Sequence, residues 1–230
     1  MYTSPKKQLV QAHHLAARLG LDDTIFTHLS VRCQDHPGHF YLTPFGRLFQ
    51  EIDEDSLLTL NLDGTLVKGN NALNTAGSLL HSALYQSQSQ TNCVIHLHSP
   101  AALAVSCLKE GLLPLTQFSM IFYNRLGYHP FEGISLDPAE KSRLLKSLGP
   151  HKAMLLHNHG LLTVAESVSQ AFMTAYYLER SCEIQIRAQS TGRPLILPSP
   201  EVCEKTAQQF EGPEYTARDR AWQALVQALL

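Results

Sequence analysis

The 230-residue sequence lacks the features of several specialised classes of protein. No apolar run approaches the length of about 20 residues that a transmembrane helix needs. The first residues, MYTSPKKQLVQAHH, contain no apolar signal region. No run of basic residues exceeds Lys6-Lys7, and the formal net charge is −2. We therefore expect a cytoplasmic protein that binds neither membranes nor nucleic acid.

The cysteines are few, and their number and spacing do not indicate disulfide pairs. The chain has five of them, an odd number, and none forms a Cys-x-x-Cys motif. This argues against a disulfide framework or a thiolate metal site, so we interpret them as small apolar residues in a reducing compartment. The sequence also has no linker-like stretch that would divide it. We predict a single domain over residues 1–230, with a core at about residues 7–210 and a C-terminal helical tail at 211–230.

Helical and strand-like patterns are mixed along the chain. Gly20 is placed to end the first helix, in which we expect His13 and His14 to be partly exposed. We interpret residues 112–133 as an irregular, aromatic loop. The order of elements predicts an α/β/α layered fold with a mixed or antiparallel sheet. The predicted helices are 6–19, 77–86, one starting at Ser99-Pro100, one starting at Asp137-Pro138, 166–189 and 222–230; the predicted strands are 27–33, 39–44, 57–60, 65–68, 92–98, 153–156 and 161–164.

Three histidines are the most informative residues. His96 and His98, in VIHLHSP, alternate along a strand and so point to one face of the sheet. His159, in HNHG, follows another buried strand and could join them. Three imidazoles with an open position are typical of catalytic zinc. Packing is the alternative, because the chain has 12 histidines. Buried imidazoles need polar partners, however, and Pro100 places the pair at a strand end.

Several segments of the chain resemble the class II aldolase/adducin family, over about residues 7–210. HLHSP and HNHGLLT are similar to its two histidine segments, and FTHLSVR, LTPFG, LNTAGSLLHSALY and YYLERSCEIQIRAQ resemble its adducin-like branch. The resemblance implies a three-layer α/β/α sandwich around a central mixed, mostly antiparallel sheet. It also implies homotetramers and metal ligands at His96, His98 and His159, with His157 as the competing third ligand. Zinc is the expected ion, with manganese, cobalt, iron and nickel as alternatives.

The sequence departs from the sugar-phosphate aldolases of this family at their acid/base position. Those enzymes carry a Ser-Ser-Glu segment four residues before a helix histidine, and its Glu transfers a proton. Counting back from His81 places that Glu at Gly77, and glycine cannot exchange a proton. A family Asn falls on His28. His28, Glu132 and Tyr128 are the candidates to replace the missing acid.

The same comparison gives the substrate-binding candidates. Thr43, in LTPFG, falls where the aldolases hold a phosphate or carboxylate end of the substrate. A threonine that satisfies its own backbone is the alternative. Ser30 is retained from a family Asn-x-Ser pattern. Thr75 and Ala76 fall on the two serines that help to bind phosphate.

Two functions are therefore open. The first is a metal-binding, aldolase-like lyase that performs aldol cleavage or decarboxylation on a small hydroxycarbonyl or carboxylate substrate. The metal would bind two substrate oxygens and stabilise an enediolate. The second is a non-catalytic oligomerisation or binding module like the adducin head. Retention of the three histidines favours the first function, and loss of the Glu favours the second.

Overall fold

The computed structural model describes residues 3–134, 139–212 and 217–230. Within these ranges one sheet has the strand order β4-β3-β2-β1-β5-β8-β7-β6. β6 and β7 are parallel, and the other neighbouring strands are antiparallel. The predicted mixed, mostly antiparallel sheet is therefore confirmed. Its strands are β1 His28–Arg32, β2 His39–Leu42, β3 Leu58–Asn61, β4 Leu66–Lys68, β5 Cys93–Leu97, β6 Leu126–His129, β7 Ala153–Leu156 and β8 Gly160–Ala165.

Helices cover both faces of the sheet. Helices α1, α3, α5 and α7 pack on one face, and α2 and α4 pack on the other. No helix in the described ranges is long and apolar enough to cross a membrane. The helices are α1 Pro5–Arg18, α2 Thr75–Ser87, α3 Pro100–Ser106, α4 Glu140–Leu148, α5 Val168–Gln189, α6 Pro200–Glu211 and α7 Ala217–Leu229, with short 3-10 turns at Phe49–Glu51 and Ser119–Phe122.

The side chains of β5 alternate between these two faces of the sheet. Cys93, Ile95 and Leu97 enter the core beneath α1, α3 and α5. Val94 belongs to the second core, beneath α2 and α4. His96 has the parity of Val94, so it also faces the α2 and α4 side. The pattern that forms the strand thus decides which layer contains the histidines.

Two sequence-based expectations about local structure were wrong. Residues 112–133 contain strand β6, which the aromatic, glycine-containing sequence concealed. Position 127 of that strand requires glycine, because a Cβ there would lie 2.6 Å from the carbonyl oxygen of Ser147. His13 is buried, not partly exposed. The predicted helix start at Asp137-Pro138 lies outside the described residues, and α7 begins five residues before the predicted Trp222.

Candidate metal centre

The structure brings His96, His98 and His159 together. One ring nitrogen from each lies within 4.8 Å of the others. His159 packs edge-on against His96, with ring centroids 4.8 Å apart, and lies 4.9 Å from the ring of His98. His96 is buried, and the other two are partly buried. These are the three histidines that the sequence proposes as ligands.

The outer nitrogens of the two strand histidines are fixed by acceptors. His96 donates from Nδ1 to the carbonyl oxygen of Leu161 at 2.9 Å. His98 donates from Nδ1 to Oδ2 of Asp23 at 3.0 Å. The remaining Nε2 atoms of the two rings face each other at 3.0 Å. Two Nε2 lone pairs at this distance repel unless a proton or a metal ion lies between them, and imidazoles held through Nδ1 in this way are typical of metal ligands.

Burial also keeps two of the rings, those of His96 and His159, neutral. Removal from water lowers the pKa of His96 well below 6.5, and the neighbouring His28 lowers it further. Burial lowers the pKa of His159 to about 4. Since a neutral imidazole is the form that binds a metal, His96 and His159 have the protonation state that a metal site requires.

A tight turn presents the third histidine. His159 follows Asn158, whose φ of 58° is left-handed, a conformation that asparagine tolerates. Gly160 pairs with Leu156 across the turn. A Cβ at Gly160 would collide with the carbonyl oxygen of Leu97, at the end of the strand that carries His96. The Asn-His-Gly sequence therefore holds His159 against the His96 strand.

A buried hydrogen-bonded chain begins beside the cluster. The ring centroid of His28 lies 4.9 Å from that of His96. Nδ1 of His28 is 2.8 Å from Nε2 of His81, which continues through its other nitrogen to Ser30. Ser30 in turn lies 2.6 Å from the hydroxyl of Tyr85. Burial lowers the pKa of His28 well below 6.5 and that of His81 to about 3, so both rings are neutral.

The three substrate-binding candidates lie outside the cavity beside the histidines. Thr43 is buried, and its Oγ1 lies 2.7 Å from Nε2 of His13 and 2.8 Å from the Leu29 amide that donates to it. Ser30 contacts His81 and Tyr85 as described. Thr75 is exposed at the start of α2, whereas the next residue, Ala76, lines the cavity.

The acid/base candidates are split between the two faces of the sheet. His28 and Glu132 line the cavity. Both Glu132 carboxylate oxygens accept from Nε of Arg143 at 2.9 Å. Tyr128 packs with the core of the opposite face, where its hydroxyl accepts from the amide of Leu112 at 3.0 Å. His157 stacks on Tyr128, with ring centroids 5.6 Å apart.

The cavity beside the cluster has a volume of about 640 Å³, within the range of small-molecule sites. Sequence reasoning missed Asp23, which orients His98 across 75 positions of chain. It also missed Phe26, Phe45 and Phe131, which line the cavity. Phe26 and Phe45 lie in the quoted segments FTHLSVR and LTPFG, but nothing in these segments predicts that the rings line a cavity, since each reaches the site from a loop.

Comparisons with known proteins agree with this architecture. The family model described as the Class II Aldolase and Adducin N-terminal domain matches residues 7–186, and the chain belongs to this family. The family predicted from the sequence is therefore confirmed. Class II aldolases typically depend on a divalent metal, and the present chain has a histidine cluster of suitable composition.

Individual relatives include both enzymes and adducins. A solved aldolase II superfamily protein from Pseudomonas syringae has a TM-score of 0.92 and 40% identity, over 97% of this chain and 91% of that one. The L-fuculose 1-phosphate aldolase of Glaciozyma antarctica has a TM-score of 0.85 and 26% identity, over 99% and 93%. Alpha-adducin of Rattus norvegicus is 38% identical over 84% of this chain, which spans only 27% of that protein.

Proposed function

We propose that His96, His98 and His159 hold one divalent transition metal ion, with zinc as the first choice and manganese, cobalt, iron or nickel as alternatives. The protein would then be a lyase of the aldolase type, acting on a small hydroxycarbonyl or carboxylate substrate. The observation that best supports this proposal is the 3.0 Å separation between Nε2 of His96 and Nε2 of His98. Both rings donate a hydrogen bond from Nδ1 to an acceptor. Such a pair needs a proton or a metal ion between its two Nε2 atoms.

The chain's own residues would divide the remaining work. Asp23 and the Leu161 carbonyl orient the histidines, and the cavity walls exclude water. When bound, the ion would supply Lewis-acid stabilisation of negative charge on a substrate oxygen. Among the three acid/base candidates, His28 and Glu132 line the cavity and Tyr128 does not. We therefore assign proton transfer to His28 or Glu132.

Metal content tests this proposal directly. We expect about one equivalent of transition metal per subunit in untagged protein, measured by elemental mass spectrometry, and loss of that metal in the His96→Ala/His98→Ala variant. His36→Ala/His39→Ala removes one histidine from the turn between β1 and β2 and one from the start of β2, and should retain the metal. Protein that binds no metal after incubation with zinc and with manganese would overturn the proposal.

A second candidate is a non-catalytic module like the adducin head. It is favoured by Gly77, which removes the family's proton-transfer group, and by the 38% identity to alpha-adducin. In either case we propose a single domain over residues 1–230 that assembles as a homotetramer, which analytical ultracentrifugation can test. We also propose a cytoplasmic location, which suits the five unpaired cysteines. Tetramers without metal would support the module over the lyase.

A further inference from the structure

The cavity beside the histidines has apolar walls. Helix α2 contributes Leu79, Leu80 and Ala83, α4 contributes Leu144, and β7 contributes Leu156. These side chains carry no hydrogen-bonding group. A ligand that leaves the histidines and enters the cavity would therefore meet mainly hydrocarbon.

Aromatic rings extend this apolar surface to the opening. Phe131 is 52% exposed and packs edge-on against His159, with ring centroids 5.9 Å apart. Phe26 is 54% exposed and lies 6.2 Å from Phe45, measured between centroids. Large apolar rings left half in water beside a polar cluster are typical of a ligand site, because a bound apolar group would cover them.

The charged residues around the cavity disfavour a phosphate. Among the described lining residues three are acidic, Asp23, Glu132 and Glu140, whereas Lys141 is the one lysine and there is no arginine. Proteins bind phosphate dianions with arginine, lysine or free backbone amides. The described lining therefore offers a phosphate one cationic side chain, Lys141, beside three carboxylates, of which Glu132 is already paired with Arg143 and Asp23 with His98.

The groups that sugar-phosphate aldolases would use for phosphate are occupied or replaced here. The hydroxyl of Thr43 is held by His13 and Leu29. At the start of α2 the side chain of Asn74 already accepts from the amide of Gly77 at 2.9 Å. Ala76, which has no hydroxyl, lines the cavity in place of a serine. One serine hydroxyl is thus absent, and the side chains of Thr43 and Asn74 are already occupied by contacts within the protein.

We infer that the substrate combines a two-oxygen head at the histidines with an uncharged, apolar body, about the size of an isobutyl or benzyl group, in place of a phosphate. This inference rests on the proposed function, because the head needs the bound metal. The apolar body follows from the apolar cavity walls and from the lack of arginine among the described lining residues.

Three hydroxyketones with the same head test the body of the substrate. Hydroxyacetone is the head with a methyl group, dihydroxyacetone phosphate adds a phosphate, and 1-hydroxy-3-phenylpropan-2-one adds a phenyl ring. Dissociation constants would be measured by ligand-observed NMR on zinc-loaded protein. We expect the phenyl compound to bind at least about tenfold tighter than hydroxyacetone, as burial of an aromatic ring predicts. Dihydroxyacetone phosphate should bind no tighter than hydroxyacetone.

Variants locate the effect in the cavity. Phe131→Ala should reduce the advantage of the phenyl compound severalfold, whereas Ile196→Ala, which removes an apolar side chain that is 90% exposed, should leave that advantage intact. Tightest binding by dihydroxyacetone phosphate would overturn the inference. Equal binding of the phenyl compound and hydroxyacetone would also overturn it, as expected if another subunit covers the rings.

Zinc content of the same samples separates the two levels of the argument. A protein that retains zinc but prefers the phosphate refutes the apolar body alone. A protein that retains no zinc refutes the proposed metal centre, and the two-oxygen head is refuted with it.

Discussion

Substitution of Gly77 by alanine tests how the site is packed. Gly77 lies in the first turn of α2, directly over the ring of His28. A Cβ there would lie 2.8 Å from Cδ2 and 2.9 Å from Nε2 of that ring. His28 cannot move aside easily, because it is buried and its Nδ1 is held 2.8 Å from His81. One methyl group therefore forces a rearrangement beside His96, whose ring lies 4.9 Å from that of His28.

The magnitude follows from two opposed effects. Glycine to alanine within a helix normally stabilises by up to about 1 kcal/mol. Overpacking a buried contact costs about 1–3 kcal/mol. We therefore expect Gly77→Ala to lower the free energy of unfolding by up to about 2 kcal/mol in the native background. In a His28→Ala background the obstacle is gone, so the same substitution should stabilise by up to about 1 kcal/mol.

A double-mutant cycle measures this coupling. The free energy of unfolding would be obtained from urea titrations of the four proteins, followed by circular dichroism at one fixed protein concentration, because assembly affects stability. We expect a coupling energy of about 1–3 kcal/mol between positions 28 and 77. The same effect of Gly77→Ala in both backgrounds would show that the His28 ring does not fill this space, and would refute the packing argument.

Two further predictions concern Asp23 and His13. Asp23→Asn should weaken metal binding by about 10–100-fold, because the carboxylate that accepts from His98 is replaced by a weaker acceptor. Metal affinity would be measured by competition with a chelator, with Asp22→Asn as the matched control. Equal affinities in all three proteins would contradict a role for Asp23. Burial lowers the pKa of His13 from 6.5 to about 3. As the pH falls below 6.5, the unfolded chain therefore binds a proton at His13 that the folded protein does not bind. The folded protein loses stability relative to the unfolded chain as the pH falls from 6.5 towards 3. At pH 5 this loss is about 2 kcal/mol. The free energy of unfolding, measured with urea, should therefore fall between pH 8 and pH 5 by about 2 kcal/mol less in His13→Gln than in the native protein. The exposed His36→Gln should behave like the native protein, and an unchanged pH difference in His13→Gln would contradict the assignment.

The strands that the sequence predicted are those with a strong apolar pattern. β5, β7 and β8 are short runs of buried residues, and their side chains contribute to both hydrophobic cores. β6 was missed because its four residues include Gly127 and because its one neighbour, β7, is remote in sequence and parallel. Pairing of this kind depends on contacts between distant segments, which local alternation does not encode.

The site was predictable to the extent that it depends on local periodicity. Alternation places His96 and His98 on one face, and Asn158-Gly160 is a turn signal that brings His159 back. The hydrogen bond from His98 to Asp23 could not be predicted, because a loop supplies the acid from 75 positions away. The burial of Thr43 against His13 likewise depends on how α1 packs on β1, and the apolar pattern of α1 alone does not specify this.

The relation between Gly77 and His28 changes how the missing glutamate should be interpreted. The resemblance to sugar-phosphate aldolases places an acid on α2 at Gly77 and an asparagine at His28. In this chain the two positions are sterically complementary: the helix has no side chain at Gly77, and the His28 ring from β1 occupies the space. Restoring a glutamate at Gly77 alone would collide with that ring. The chain therefore has a differently packed pocket beside the three histidines, and the two acid/base candidates that line it, His28 and Glu132, lie on β1 and in the segment after β6, not on α2.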